Sequence, residues 1–475
     1  MKSYKIVLFI FLIIAALGVV CAVFPPEGIT IGSFKLRFPT LEKVLVRNHE
    51  PARDIEKEFK EKEIAMQDSL LNTKLDSINY LQELVTTHIT RFYFPNDDIT
   101  YFDALFKKME NAKRNKEIVR VLHYGDSQIE LDRISSNLRN YFQENFGGGG
   151  PGLLPVVKSI PTMAYIQSGS GDFVPYTTYG EGSRSRDGDY GLMAKAYQLN
   201  GHGSFALTAN KNQPSERLKQ YSLIRLIFND KRGDLKVSLR DKDHKRDYEL
   251  ESPGEGFQVL EWKLDTPIAA FSLNMSGFAR IYGVLVDDGY GVSVDNVPMR
   301  GCSGTIFTQI TDTLLSQTYE TVNVGLIIMQ YGGNSMPGMC EKGVPAYAQR
   351  SGAQIRYFHN VYPTAKILFI GPSDMSTMVN GTLQTYPLLP KTVEALKEVV
   401  LENGAAFWDM YEVMGCENSM IAWVKSGWAG NDYVHFTGMG ANKIGSLLTN
   451  SFSQLYQLYL MEQDAESLRN SSGKQ

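Results

Sequence analysis

The chain has 475 residues, of which 43% are hydrophobic and 21% charged, and its formal net charge is −4. This length exceeds that of one ordinary domain, and the apolar content is sufficient for sizeable buried cores. The slightly acidic balance and the lack of a basic stripe interleaved with aromatic residues argue against a nucleic-acid partner. No His or Cys spacing is typical of a metal site, so we expect no metal or other cofactor.

The first segment, residues 1–24, is predicted to take the chain out of the cytoplasm. Lys2 and Lys5 precede an uncharged apolar run over residues 6–24. The run is long enough to span a bilayer as an uncleaved anchor. It also fits a cleaved signal peptide, and a lipoprotein modified at Cys21 is a weaker third alternative. All three alternatives place the rest of the chain outside the cytoplasm.

Residues 25–115 are predicted to form a helical or coiled-coil stalk and a lead-in to the first folded domain. Residues 51–87 are charged and contain no glycine, and their apolar residues recur at seven-residue spacing: Ile64, Leu71, Ile78 and Val85. This spacing indicates a helix or a short coiled coil. The helix could be a stalk above the membrane or a surface helix packed on the following domain, and the pattern leaves both open. Residues 102–114 then predict an amphipathic helix.

Residues 116–150 are predicted to begin an α/β domain. The apolar run over residues 118–124 indicates a buried strand, and residues 129–146 have helical periodicity. Ser127 lies at the turn between them, where a serine has an exposed hydroxyl suited to a nucleophile. Serine needs a neighbouring base to act in this way, and that base needs an acceptor that fixes its tautomer.

Residues 151–298 differ from the segments on either side. Short β-like runs follow one another there, separated by Gly, Asp and Asn turns. Their lengths and spacing predict a β-sandwich inserted into the α/β domain. The insertion could bind a ligand or only complete the wall of a cleft.

Residues 299–463 return to an alternation of strands and helices. The predicted elements are a strand over 322–331, a helix over 345–360, a strand over 366–370, a helix over 391–402, a strand over 405–409 and a final helix over 440–460. Alternation of this kind predicts a parallel sheet with helices on both faces and a site at the carboxyl ends of the strands. The polar tail, residues 464–475, is predicted to be disordered.

Four short groups occur in one order along the chain and resemble the hydrolytic machinery of the SGNH (GDSL) esterase family. They are Gly125-Asp126-Ser127, a glycine-rich turn ending at Gly304, Gly333-Asn334, and Asp432-x-x-His435. The resemblance implies a three-layer α/β/α fold with a parallel sheet, in which Ser127, His435 and Asp432 form a catalytic triad. It also implies an oxyanion hole made by the N–H groups of Ser127 and Gly304 and the side-chain amide of Asn334. Gly304 is preferred to Gly301 because the family's glycine usually lies within a Ser/Asn-Gly pair.

Two longer stretches are similar to the peptidoglycan O-acetylesterases of Gram-negative bacteria. These are residues 414–437 and the stretch from His123 through Asp132-Arg133 to the glycine-rich residues 146–152, within a resemblance that covers about 117–457. The resemblance implies a periplasmic enzyme without a cofactor, which removes acetyl groups from peptidoglycan and carries a carbohydrate-module-like insertion. One departure is that Gly333 and Ser335 flank Asn334, where the family often has Thr and Glu.

The expected partners are an O-acetylated polysaccharide, with peptidoglycan first, and the membrane through residues 1–24. Two other functions stay open at this stage. The same acyl-enzyme could pass its acetyl group to a sugar hydroxyl, which would make the protein a polysaccharide O-acetyltransferase. The protein could also be a catalytically silent glycan-binding protein of the envelope.

Overall fold

The computed structural model describes residues 3–32, 34–41, 55–158, 160, 162, 164–212 and 215–472. The chain divides into two compact units, Met1–Asn72 with Ser471–Gln475, and Thr73–Asn470.

The first unit contains an apolar helix, α1 (Ser3–Val23), a two-stranded hairpin of β1 (Ile29–Ile31) and β2 (Phe34–Leu36), and the start of α2 (Ile55–Thr87). Among the described residues, α1 is the one helix with the length and composition to cross a membrane, with a mean hydropathy of 3.3 over Tyr4–Val23. A signal sequence passes the same test. The anchor and the signal peptide therefore both remain predictions.

The second unit contains the remaining elements. After α2 come β3 (Phe92–Tyr93), α3 (Asp103–Asn115), β4 (Ile118–Gly125) and α4 (Ser135–Phe146). A β domain follows, with β5 (Gly152–Leu154), β6 (Tyr165–Thr177), β7 (Lys195–Ala209), β8 (Tyr221–Asp230), β9 (Lys236–Asp241), β10 (Arg246–Glu251), β11 (Gly256–Ile268) and β12 (Ala270–Asp287). The chain ends with β13 (Gly291–Pro298), α5 (Asp312–Val322), β14 (Val324–Gln330), α6 (Gly343–Val361), β15 (Lys366–Ile370), β16 (Ser376–Val379), β17 (Thr382–Thr385), α7 (Leu389–Glu402), β18 (Ala406–Trp408), α8 (Met410–Met414), α9 (Ser419–Lys425) and α10 (Gly438–Ser472).

The central sheet has the strand order β13-β4-β14-β15-β18-β3 and is parallel except for β3. Its middle strands are continuous apolar runs because both of their faces are buried. Neighbouring residues of β18 show the two layers: Phe407 belongs to the core formed with α5, α6 and α7, whereas Trp408 donates its indole N–H to Ser451 of α10. The structure confirms the predicted α/β class with a parallel sheet.

The β domain is antiparallel and is organised around its longest strand, β12. The first part of β12 pairs with β7 and β9, and its last part pairs with β5 and β8. The register shifts between Ile281 and Gly283, and such a bulge bends a strand. Buried residues from both ends form one core, so the predicted sandwich is a continuous sheet folded around β12.

The insertion differs from the prediction at its end. Its predicted range included residues 291–298, but these form β13, which pairs with β4 in the parallel sheet. Tyr176 and Tyr179 of the β domain are half-buried and pack against a core that this domain shares with the α/β domain. The insertion is therefore joined to the α/β domain by a common core.

The C-terminal end of α2, residues 73–87, belongs to the second unit and packs there beside α10. Ile78 and Val85 are buried, and Gln82 donates to Glu462 of α10 over 3.0 Å. This favours the surface-helix alternative for Thr73–Thr87, while the side chain of Ile64 lies outside the described residues. The disorder predicted over 464–475 is wrong as far as residue 472, because α10 continues to Ser472 and Ala465 is 3% exposed. Residues 473–475 lie outside the described residues.

Candidate active site

The nucleophile turn lies at the carboxyl end of β4. The strand ends at Gly125, and a short 3-10 helix, Ser127–Ile129, follows directly. Asp126 caps this turn, because its Oδ1 accepts a hydrogen bond of 2.9 Å from the backbone N–H of Gln128. The serine hydroxyl is thereby held at the carboxyl edge of the sheet, where the sequence predicts the site.

The structure brings the three predicted catalytic residues together. Ser127 Oγ lies 2.8 Å from Nε2 of His435, and Nδ1 of His435 lies 2.7 Å from Oδ2 of Asp432. Asp432 Oδ1 also accepts the backbone N–H groups of Val434 and His435, at 3.1 and 3.0 Å. With Nδ1–H donated to the carboxylate, Nε2 is free to accept the serine proton.

The environment of Asp432 favours its charged form. Partial burial raises the pKa of this carboxyl, but the hydrogen bonds from His435 and from the backbone outweigh burial and the net pKa lies below its usual value. The side chains of His435 and Asp432 are 43% and 51% exposed. Water therefore reaches both the imidazole of His435 and the carboxylate of Asp432.

Two side chains that the sequence did not single out as functional tie the nucleophile turn to the histidine loop. Gln128 donates from Nε2 to the Val434 carbonyl over 2.7 Å and accepts the Phe436 N–H at Oε1 over 3.3 Å. Arg133 donates to the carbonyls of Ser127 and Phe436, each over 2.8 Å. These contacts fix the distance between serine and histidine across about 300 residues of sequence.

The residues predicted for the oxyanion hole lie near each other but have other partners. The Asn334 side-chain amide donates to Asp126 Oδ2 and to the Cys302 carbonyl, each over 3.1 Å. The Gly304 N–H points at the Cys302 sulfur, 3.3 Å away. Gly304 has a φ of 80°, and a Cβ there would lie 2.5 Å from Tyr331, so a side chain would be strained as well as crowded.

A cavity of about 140 Å³ lies in front of Ser127 and His435. Its wall also includes Asp126, Gln330 and Asn334, together with apolar side chains: Tyr331, Pro337, Pro372, Met375, Tyr386, Met410 and Val434. Neither Gly304 nor Asp432 is among the described residues that line it.

Asp126 is a buried carboxyl that the sequence showed only as part of a turn. It is 5% exposed, and burial raises its pKa to about 6 although the Gln128 N–H and the Asn334 amide both favour the carboxylate. Burial of the charged form is therefore the dominant effect. A signal was present in the sequence, since Asp126 precedes Ser127, but its bond to Asn334 depends on the fold.

No protein-family model and no curated protein matches the chain. A solved structure of a peptidoglycan O-acetylesterase is similar, with a TM-score of 0.59 and 23% identity over 74% of this chain and 96% of that one. A family two carbohydrate esterase from Cellvibrio japonicus is 10% identical over 62% of this chain and 99% of that one, but its TM-score of 0.25 supports no argument. The chain therefore has the fold of the SGNH (GDSL) hydrolases, with a β domain inserted between α4 and β13.

Proposed function

We propose that this protein is a serine esterase that removes O-acetyl groups from a glycan of the cell envelope, with peptidoglycan as the first candidate. The observation that carries the proposal is the pair of contacts from Ser127 through His435 to Asp432, beside a cavity that can hold an ester. Likeness in fold to a peptidoglycan O-acetylesterase supports the choice of substrate.

The first step is acylation. His435 Nε2 takes the proton of Ser127 while Oγ attacks the acetyl carbonyl carbon, and the carbonyl π electrons move onto oxygen. Asp432 stabilises the imidazolium that forms, because its carboxylate stays charged. The tetrahedral intermediate then collapses, His435 gives the proton to the sugar oxygen, and the deacetylated sugar leaves. An acetyl group remains on Ser127.

The second step is deacylation by water. Water gives a proton to His435 and its oxygen attacks the acetyl carbonyl, after which acetate leaves and Ser127 regains its proton. The oxyanion of both steps is assigned to the N–H groups of Ser127 and Gly304 and the Asn334 amide. Asn334 must then exchange a present acceptor, Asp126 or the Cys302 carbonyl, for the substrate oxygen. None of these steps requires a cofactor.

Hydrolysis is favoured over transfer to a sugar by the exposure of the triad. A transferase must keep water away from its acyl-enzyme, whereas about half of the His435 and Asp432 side chains is open to solvent. The base that activates the second nucleophile is therefore accessible to water, which is by far the most concentrated acceptor.

The proposed location is the periplasm, with the enzyme held at the inner membrane by α1 or released after its cleavage. The length and apolar composition of α1 support an extracytoplasmic catalytic domain. The β domain shares a core with the α/β layer, which supports a role in forming the glycan cleft. The β domain and the α/β domain would then act together on a polymer close to the membrane.

The test is acetate release by the full chain in detergent from O-acetylated peptidoglycan and, separately, from O-acetylated xylan. We expect release from peptidoglycan by the wild type and none by Ser127→Ala with unchanged folding. Release from xylan alone would show that the substrate is a glycan other than peptidoglycan. Isotope-labelled acetyl that appears on an added sugar instead of as acetate would establish the transferase. If neither acetate nor an acetylated sugar forms, the proposal that this protein is an enzyme is contradicted.

A further inference from the structure

A buried glutamine contributes to the innermost wall of the cavity. Gln330 is the last residue of β14, and its partner in β4 is Gly125, two residues before Ser127. Its side chain is 2% exposed and lines the same cavity as Ser127 and Asn334. The amide therefore lies at a strand end beside the nucleophile turn and away from solvent.

The amide nitrogen of Gln330 has no hydrogen-bond partner among the described residues. A buried donor without an acceptor is destabilising, so such a group is uncommon unless a ligand completes it. The nearby Asn334 differs, because its amide nitrogen already has two protein acceptors. Of these two amides, Gln330 is the one with unused N–H groups.

A buried histidine determines which end of the Gln330 amide faces the cavity. His123 Nε2 lies 3.1 Å from Gln330 Oε1, and His123 Nδ1 lies 2.8 Å from the Ser135 hydroxyl. Burial lowers the pKa of His123 to about 4 in spite of the Gln330 contact, so the ring is neutral at pH 7. With Gln330 Oε1 opposite it, Nε2 carries the ring proton, so Nδ1 accepts the single proton of the Ser135 hydroxyl in place of Asn296 Oδ1 at 2.9 Å. This tautomer leaves the Gln330 NH₂ group for the cavity.

We propose that Gln330 is a further oxyanion-binding residue, whose Nε2–H donates to the carbonyl oxygen of the bound acetyl ester as negative charge develops on it. The proposal rests on the esterase function proposed above and adds a donor to the predicted set. The ester carbonyl must lie next to Ser127 for attack, and the strand pairing holds Gln330 beside that residue. An oxygen that gains charge in the transition state is the acceptor that this unpaired donor would favour most.

The test compares Gln330→Leu and Gln330→Glu with the wild type, all as the full chain in detergent. Leucine removes both polar atoms, and an ionised glutamate keeps an acceptor but loses the donor. Because burial raises the pKa of a carboxyl, the glutamate variant is measured up to pH 9. The measurements are kcat and KM for 4-nitrophenyl acetate and the rate at which a fluorophosphonate labels Ser127, read by mass spectrometry. We expect both variants to lose on the order of 100-fold in kcat and in labelling rate, with KM nearly unchanged.

The matched control is Gln143→Leu. Gln143 is also a fully buried glutamine with one unpaired amide atom, but it lies on α4 and bonds to the Gly150 carbonyl, away from the cavity. It should lose stability without a change in kcat. Unchanged kcat and labelling in Gln330→Leu would overturn the proposal, and so would full activity of Gln330→Glu, because an oxygen would then face the cavity.

Failure of the esterase proposal has a different result. A wild type that is labelled at Ser127 but releases no acetate from any glycan would contradict the substrate assignment, while the labelling rates would still measure the Gln330 donor. A wild type that fluorophosphonate does not label at Ser127 would contradict both proposals.

Discussion

The two sides of the cavity are built in different ways. On the exposed side, Asp432 and His435 belong to one short loop, and both side chains are about half exposed. On the buried side, Asp126 and Gln330 lie at the ends of two paired strands, and Asp126 meets the exposed Asn334 across about 200 residues of sequence. The residues of the exposed side are therefore brought together by their short spacing in the sequence, whereas those of the buried side are brought together by strand pairing in the sheet.

The largest effect is expected on the exposed side. His435→Ala should lower kcat/KM for an acetyl ester on the order of 10⁴-fold or more, because no base then accepts the Ser127 proton. Its melting temperature should change little, since the side chain is 43% exposed. The measurement is ester turnover beside thermal unfolding. His202→Ala, at an exposed histidine of β7, is the control, and activity of His435→Ala within tenfold of wild type would remove His435 from the mechanism.

A smaller loss is expected at Asn334, the exposed partner of the buried Asp126. Asn334→Ala should lower kcat about 100- to 1,000-fold with little change in KM, since the amide is assigned to the oxyanion and acts in the transition state. Steady-state kinetics on 4-nitrophenyl acetate separates the two constants. Asn274→Ala, at an exposed position of β12, provides the matched change outside the site. A rise in KM alone would mean that Asn334 binds the ground state and not the oxyanion.

Arg133, which joins the nucleophile turn to the histidine loop, should have the smallest of these three effects on activity. Arg133→Met removes the donors to the Ser127 and Phe436 carbonyls, so we expect the serine and histidine to separate and kcat to fall about 10- to 100-fold. Lysine should restore little, because one ammonium cannot reproduce the guanidinium fork.

The measurements for Arg133 are kcat and the rate at which a fluorophosphonate labels Ser127, compared in each variant. Arg356→Met, on the exposed surface of α6, serves as the control because it loses only a bond to Asn403. Wild-type kcat in Arg133→Met, with a lowered melting temperature, would reduce Arg133 to a structural role.

The same contrast explains what the sequence could predict of the site. Ser127, Asp432 and His435 could be predicted because their short motifs, in one order along the chain, resemble those of the SGNH esterase family. Gln330 could not be found in this way, because its burial and its unpaired amide arise only when β14 pairs with β4. The role expected for Gly304 stays a prediction, since its N–H has the Cys302 sulfur as its partner.

The fold follows the same rule. The middle strands were predicted from apolar runs, but β13 was assigned to the insertion, and its sequence contains the polar residues Ser293 and Asp295. Both residues are buried, and Arg120 of β4 donates to them over 3.0 and 2.7 Å. An ion pair between two distant segments thus allows a polar sequence to form a buried strand, and this cannot be read from either segment alone.

The last prediction concerns pH and the two carboxyl groups, one on each side of the cavity. The pKa of Asp126 is raised from 3.8 to about 6 by burial, so the folded state holds this proton more tightly than the unfolded state does. The resulting stability is fully present below pH 4 and is lost as pH rises through about 6. The loss is about 3 kcal/mol for a shift of this size. Asp126→Asn lacks this titration, so its free energy of unfolding relative to wild type should rise by that amount between pH 4 and pH 7.

Asp432→Asn is the control from the exposed side, and its sign is opposite. The pKa of Asp432 is lowered, so its contribution to stability is present above the usual pKa of an aspartate and is lost as pH falls through the lowered value. Exposure to solvent keeps this contribution small. Chemical unfolding between pH 3 and pH 7, followed by tryptophan fluorescence, measures both variants. Equal pH dependence of Asp126→Asn and wild type would mean that Asp126 is not desolvated, and the contrast between the two sides of the cavity would then be one of geometry alone.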